Sequence, residues 1–82
     1  MLKELAGMEK VTGVKQSQRA LRSGQAREVF LASDADPALT GPLLEQCRER
    51  GIPVCAAYSM RQLGQAAGIQ VGAAVVTVLE RH

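Results

Sequence analysis

The sequence predicts a single α/β domain in which helices cover a mainly parallel or mixed sheet. Three observations carry this. Segments with helical spacing alternate with short apolar runs rich in β-branched residues, helix then strand, four times along 82 residues. Glycines stand where the helical patterns end. The length suits one domain with one modest core.

The first helix is expected over residues 2–9, where Leu2, Leu5 and Met8 recur at three-residue spacing. Val11 to Val14 is a short strand candidate ending at Gly13. A second helix is predicted over residues 15–23. Its wheel puts Lys15, Arg19 and Arg22 in one stripe and Val14, Ser17, Ala20 and Leu21 on the opposite, core-facing side. Gly24 stops it. Glu28 to Ser33 holds Val29, Phe30, Leu31 and Ala32, an apolar run expected of a strand covered on both faces.

Asp36 and Pro37 suit the cap and first turn of a third helix. Leu39, Leu43, Leu44 and Cys47 carry it to Arg50, with Gly51 closing it. Pro42 inside this pattern predicts a kink or a restart. Ile52 to Ala57 is a third strand, and Pro53 near its start predicts an edge position. Ser59 and Gln62 have capping-box spacing for a fourth helix. Leu63, Ala66 and Ala67 supply its packing face, and Gly68 ends it. Ala73 to Leu79 is the last strand.

Composition narrows function. The only aromatic residues are Phe30 and Tyr58, so RNA modules that stack bases on exposed sheet aromatics are excluded. The net charge is +2, but five cations and no acid lie between Lys10 and Arg27. Such a stretch marks either a phosphate-binding face or a solvated helix face. Catalysis has no visible machinery. The lone histidine is His82, no glycine pattern forms a phosphate loop, and Asp34 and Asp36 have simpler work as turn and cap. The chain is therefore expected not to be an enzyme and to need no cofactor.

Cys47 and Cys55 make no recognised metal spacing with His82 and are expected as small buried hydrophobes. Thiol chemistry would need an exposed, low-pKa cysteine. No signal peptide or membrane-length apolar run is present, so a cytoplasmic protein with no membrane partner is expected.

The most informative segment is Gly13 to Gly24. A strand meets a glycine and then a helix whose first turn carries Lys15 and Gln16, with Arg19 one turn on. Glycine permits close approach of another backbone. A helix N-terminus favours anions. Lys15, Gln16 and Arg19 offer donors suited to guanine O6 and N7 or to phosphate. Ordinary solvent-facing residues would leave the same pattern.

Gly13-x-Lys15-Gln16-Ser17-x-Arg19-Ala20-Leu21-x-x-Gly24 resembles the Gly-x-Asn-Glu-x-Thr-Lys-x-x-x-x-Gly signature of the kink-turn-binding ribosomal proteins, the large-subunit L-seven-Ae and L-thirty-e type. The resemblance continues through Ala32-Ser33-Asp34-Ala35-Asp36-Pro37, Gly51-Ile52-Pro53-Val54, Ser59-Met60 and Leu63-Gly64-x-Ala66-x-Gly68-Ile69, in order along the whole chain. Lys15-Gln16 in place of Asn-Glu looks like the short bacterial members of the YbxF and YlxQ type.

The resemblance implies a three-layer α/β/α sandwich around a four-stranded mixed sheet. It implies RNA as partner, through the kink-turn, an internal loop with tandem sheared G·A pairs beside a bulge. Lys15, Gln16 and Arg19 would meet guanine edges and phosphates, with Gly13 and Val14 against the RNA backbone. Tyr58, Ser59 and Met60 would form a second contact. Asp36 would meet the flipped bulge nucleotide, and Val71 would add a further contact. The host would be a ribosomal or riboswitch RNA; DNA is not expected as a partner.

Simpler roles stand beside these: Asp36 and Ser59 as caps, Met60 as a surface apolar residue, Val71 as the start of a strand. Lys15-Gln16 and Val71 depart from the family pattern and predict weaker, more salt-sensitive binding that favours an already folded kink. The alternative is a protein–protein adaptor that keeps the fold without specific RNA binding. A helix-covered sheet leaves little interface, so a monomer is expected.

Overall fold

In the computed structural model the described residues are 5 and 7–80. The elements are β1 (Lys10–Thr12), α1 (Val14–Arg22), β2 (Ala26–Leu31), α2 (Pro37–Arg50), β3 (Val54–Cys55), α3 (Met60–Ala66) and β4 (Val75–Leu79). Residues 2–4 and 6 of the helix expected over residues 2–9 lie outside the described residues, as does His82; residues 7–9 form a turn, a bend and irregular backbone, so the helix does not extend through Met8 as expected. Within that segment Leu5 is helical and buried.

The four strands form one mixed sheet in the order β1-β4-β2-β3. β4 runs antiparallel to both β1 and β2, and β3 runs parallel to β2. The three strands β1, β2 and β3 therefore all leave the sheet at the end where β4 enters it.

Side-chain alternation on the strands builds two cores. Val75 of β4 and Val29 and Leu31 of β2 pack with Ala20 and Leu21 of α1 and Leu43 and Cys47 of α2. Val76 and Val78 point to the opposite layer, with Leu63 of α3, Leu5, Ala32 and Ala73. Helices thus lie on both faces, the α/β/α sandwich expected. β4 is buried on both sides: Val75, Val76, Thr77 and Val78 are at most 1% exposed.

The helices α1, α2 and α3 end alike. The glycines Gly24, Gly51 and Gly68 have φ of 76°, 68° and 78°. Each follows the helix with paired return bonds, as when Gln25 N–H donates to Ala20 O at 2.9 Å and Gly24 N–H to Leu21 O at 3.3 Å. A left-handed glycine lets the last carbonyls find donors without a Cβ penalty.

Several expectations need correction. Val14 is the first residue of α1 rather than the end of a strand. β2 begins at Ala26 and ends at Leu31, earlier than the apolar run indicated. A register irregularity between Ala26 and Glu28 lets Ala26 join the ladder. β4 starts at Val75, because residues 69–73 pack against α3 instead.

β3 has only Val54 and Cys55 in the ladder, although its edge position is as Pro53 predicted. Pro42 does not restart α2, which runs on to Arg50. Gly41 before it has no Cβ to clash with the proline ring, and the carbonyl left without a donor belongs to the exposed Ala38.

Candidate functional site

The β1–α1 junction is shaped by one glycine. Gly13 has φ 103° and ψ 161°, a region essentially restricted to glycine. Its N–H donates to Val75 O at 3.0 Å, holding the turn to the sheet, and its carbonyl accepts Ser17 N–H at 3.1 Å, opening α1. A Cβ at Gly13 would meet nothing within 4 Å. The requirement for glycine is therefore conformational, and the space beside it is open.

No side chain caps α1, and no acid stands in its first turn. Its partial positive charge is left facing outward. Burial of Ser17, Ala20 and Leu21 fixes the helix's rotation, and Lys15, Gln16, Arg19 and Arg22 are left exposed. Among the described residues no hydrogen bond or ion pair engages the side chains of these four. Gln16, Arg19 and Arg22 line an open groove of about 560 Å³ together with Val11 and Leu79.

The other loops at this end of the sheet are tied together. Asp36 caps α2, accepting Ala38 N–H at 2.9 Å. Ser59 and Gln62 close the expected capping box, with Gln62 N–H to Ser59 Oγ at 3.2 Å and Ser59 N–H to Gln62 Oε1 at 2.9 Å. Ser33 N–H donates to Tyr58 O at 2.8 Å, and Ala73 N–H to Met60 O at 3.0 Å. Asp34 Oδ1 accepts Met60 N–H at 2.8 Å.

Gly64 lets α3 press on the segment before β4. A Cβ there would collide with the Val71 carbonyl oxygen. Gly72 packs on Met60 less tightly, its Cβ position 3.1 Å from Met60 Cβ. Val71 is left 70% exposed. Asp34, Met60, Arg61, Gln65, Ile69 and Val71 border a second concavity of about 480 Å³.

The topology thus brings Gly13, Val14, Lys15 and Gln16 to the same end of the sheet as Asp36, Tyr58, Ser59, Met60 and Val71. Arg19 lies one turn further along α1. They do not share one cavity: Gln16 and Arg19 face the first groove, Met60 and Val71 the second. Tyr58 is half-buried, its ring 6.3 Å from that of Phe30.

Asp34, read from the sequence as a turn residue, and Arg61 belong to this region as well. Asp34 carries no sequence signal beyond its loop, since its partner is 26 residues away. Gly64 inside a helical pattern was the one available hint of close packing.

Burial pushes the Cys47 thiol pKa up, which makes it less nucleophilic. Among the described residues no group of His, Cys, Asp and Glu could hold a metal ion, and no helix is long and apolar enough to cross a membrane.

A family model described as the ribosomal protein L7Ae/L30e/S12e/Gadd45 family matches residues 5–82. An RNA-binding protein of Geobacillus sp. (strain WCH70) is 44% identical over 77 residues, covering 94% of both chains. The RNA-binding protein YbxF of Geobacillus stearothermophilus is 45% identical over 69 residues, 84% of both. Among solved structures, a 15.5 kD RNA binding protein of Giardia lamblia superposes with a TM-score of 0.86 at 25% identity, covering 98% of this chain and 68% of that one. A Bacillus halodurans protein of unknown function gives 0.85 at 31% identity, over 96% and 80%.

Proposed function

The chain belongs to the ribosomal protein L7Ae/L30e/S12e/Gadd45 family, and from that premise we propose that it binds RNA at a kink-turn and stabilises the bent form. The observation that carries this is the α1 N-terminus. It is uncapped, opened by a glycine-only turn, and flanked by exposed, unpaired Lys15, Gln16 and Arg19.

A regular RNA helix hides its base edges in a deep, narrow major groove. Tandem sheared G·A pairs at a kink open that groove. Gln16 and Arg19 then reach guanine edges, Lys15 and the helix N-terminus meet phosphate, and Gly13 and Val14 lie against the RNA backbone. Asp36, Tyr58, Ser59, Met60 and Val71 border the bulge. Asp36 keeps one carboxylate oxygen beyond the one that caps α2. Ser59, whose hydroxyl is committed to the capping box, contributes shape and backbone. Binding acts as a shift in a two-state RNA equilibrium. The whole chain works as one RNA-binding domain, a cytoplasmic monomer without catalysis, on ribosomal or riboswitch RNA.

The test is a titration of labelled kink-turn RNA at two salt concentrations, beside an RNA whose G·A pairs are replaced by Watson–Crick pairs. Selective binding that bends the RNA is expected, with Gln16→Ala and Arg19→Ala each costing about 1–3 kcal/mol. Equal binding to both RNAs would reduce the protein to a general phosphate binder. No binding to either would leave a protein–protein adaptor.

A further inference from the structure

We infer that Asp34 is a positioning residue of the RNA-binding edge, fixing the 58–60 and 71–73 segments through the Met60 amide while its charge plays no part in holding RNA. The inference rests on the function proposed above.

A carboxylate on an edge that faces a polyanion opposes binding. Asp34 is exposed and lies beside the proposed contacts Met60 and Val71, so its presence there calls for a compensating role. Its Oδ1 accepts Met60 N–H at 2.8 Å, across 26 residues of chain. That distance is in the range of charge-assisted bonds.

Met60 is also the hinge between the other two segments. Its carbonyl accepts Ala73 N–H at 3.0 Å, and Gly72 rests on its side chain. Ser33, next to Asp34, ties the Tyr58 carbonyl at 2.8 Å. One residue's N–H and C=O thus join the end of β2, the start of α3 and the entry to β4. The capping box of α3 satisfies Gln62 and Ser59 amides but leaves the Met60 amide to Asp34. Tyr58, Met60 and Val71 carry no charge, so what they offer RNA is shape, and shape depends on where these segments sit.

Three variants separate the roles. Asp34→Asn keeps an acceptor oxygen and drops the charge. Asp34→Glu keeps the charge and moves the acceptor by one methylene. Asp34→Ala removes both. Affinity for a kink-turn RNA is measured over a salt series, and hydrogen exchange of the Met60 and Ala73 amides is measured in free protein.

Asp34→Asn is expected to match or exceed wild-type affinity. Asp34→Ala and Asp34→Glu are expected to lose about tenfold with the salt slope unchanged, and to speed exchange at both amides. Wild-type affinity in Asp34→Ala would overturn the inference. So would an equal loss in Asp34→Asn and Asp34→Ala, because the carboxylate would then be acting on RNA itself. If wild-type protein fails to bind kink-turn RNA, the functional proposal falls separately. The positioning role then stands or falls on exchange alone: fast amides in Asp34→Ala and slow ones in Asp34→Asn support it, and no difference refutes it.

Discussion

The two halves of the candidate site are built in opposite ways. At the β1–α1 junction the polar side chains are uncommitted: Lys15, Gln16, Arg19 and Arg22 project from a regular helix with no partner among the described residues. In the loops after β2 and β3 and before β4 the polar groups hold one another. Asp34, Asp36, Ser59 and Gln62 all accept backbone amides. The first half offers donors on a rigid rod. The second offers a surface whose shape is its chemistry. The donors on α1 are free because backbone geometry there is already secured, by Gly13 together with the buried Ser17, Ala20 and Leu21.

This contrast breaks most readily at Gly64. Gly64→Ala would drive a methyl group into the Val71 carbonyl, a backbone atom that cannot swing aside. A net loss of about 1–3 kcal/mol is expected, even though alanine is the better helix former by roughly 1 kcal/mol. Thermal denaturation reads this directly, and a Tm at or above wild type would show that the loop half is soft.

Ser59→Ala removes the bond from Gln62 N–H to Ser59 Oγ in the α3 capping box and should cost about 1 kcal/mol. Urea denaturation measures it. An unchanged midpoint would mean that Asp34 and the Gln62 side chain suffice to hold the start of α3.

The smallest effect belongs to the helix half. Arg22→Ala should leave stability within about 0.5 kcal/mol, because its side chain has no partner to lose. The same variant should flatten the salt dependence of RNA binding by about one phosphate contact if the groove beside it follows the RNA backbone. A stability loss above 1 kcal/mol would show that the stripe is structural.

Legibility followed the same divide. The stripe of Lys15, Arg19 and Arg22, and the buried side of Ser17, Ala20 and Leu21, could be read from helical spacing because one helix's periodicity is a local property. The caps at Asp36 and Ser59 were legible too, since each bond spans two or three residues. β3 was read too long because an apolar run reports burial, whereas a ladder needs a partner strand in register. Pro42 allowed a restart because proline rules describe an isolated helix; α2 runs through it, with Gly41 and solvent around Ala38 easing the conflict. Asp34 looked like a turn residue because its acceptor role depends on an amide 26 positions away.

The sequence by itself determined the order of helices and strands from β1 onward, where α1, α2 and α3 stop, and which side of α1 faces the core. These follow from local spacing, capping and glycine conformation. It did not determine that Leu39 would stand about half exposed on α2 or that Cys55 would be only partly buried. Tertiary structure alone decided that β4 lies between β1 and β2, so that three strand ends and one strand start meet at a single edge. It also decided that Asp34 reaches Met60 and that Gly64 bears on Val71. Those contacts are long-range, and no periodicity in the chain encodes which distant partner a loop will find.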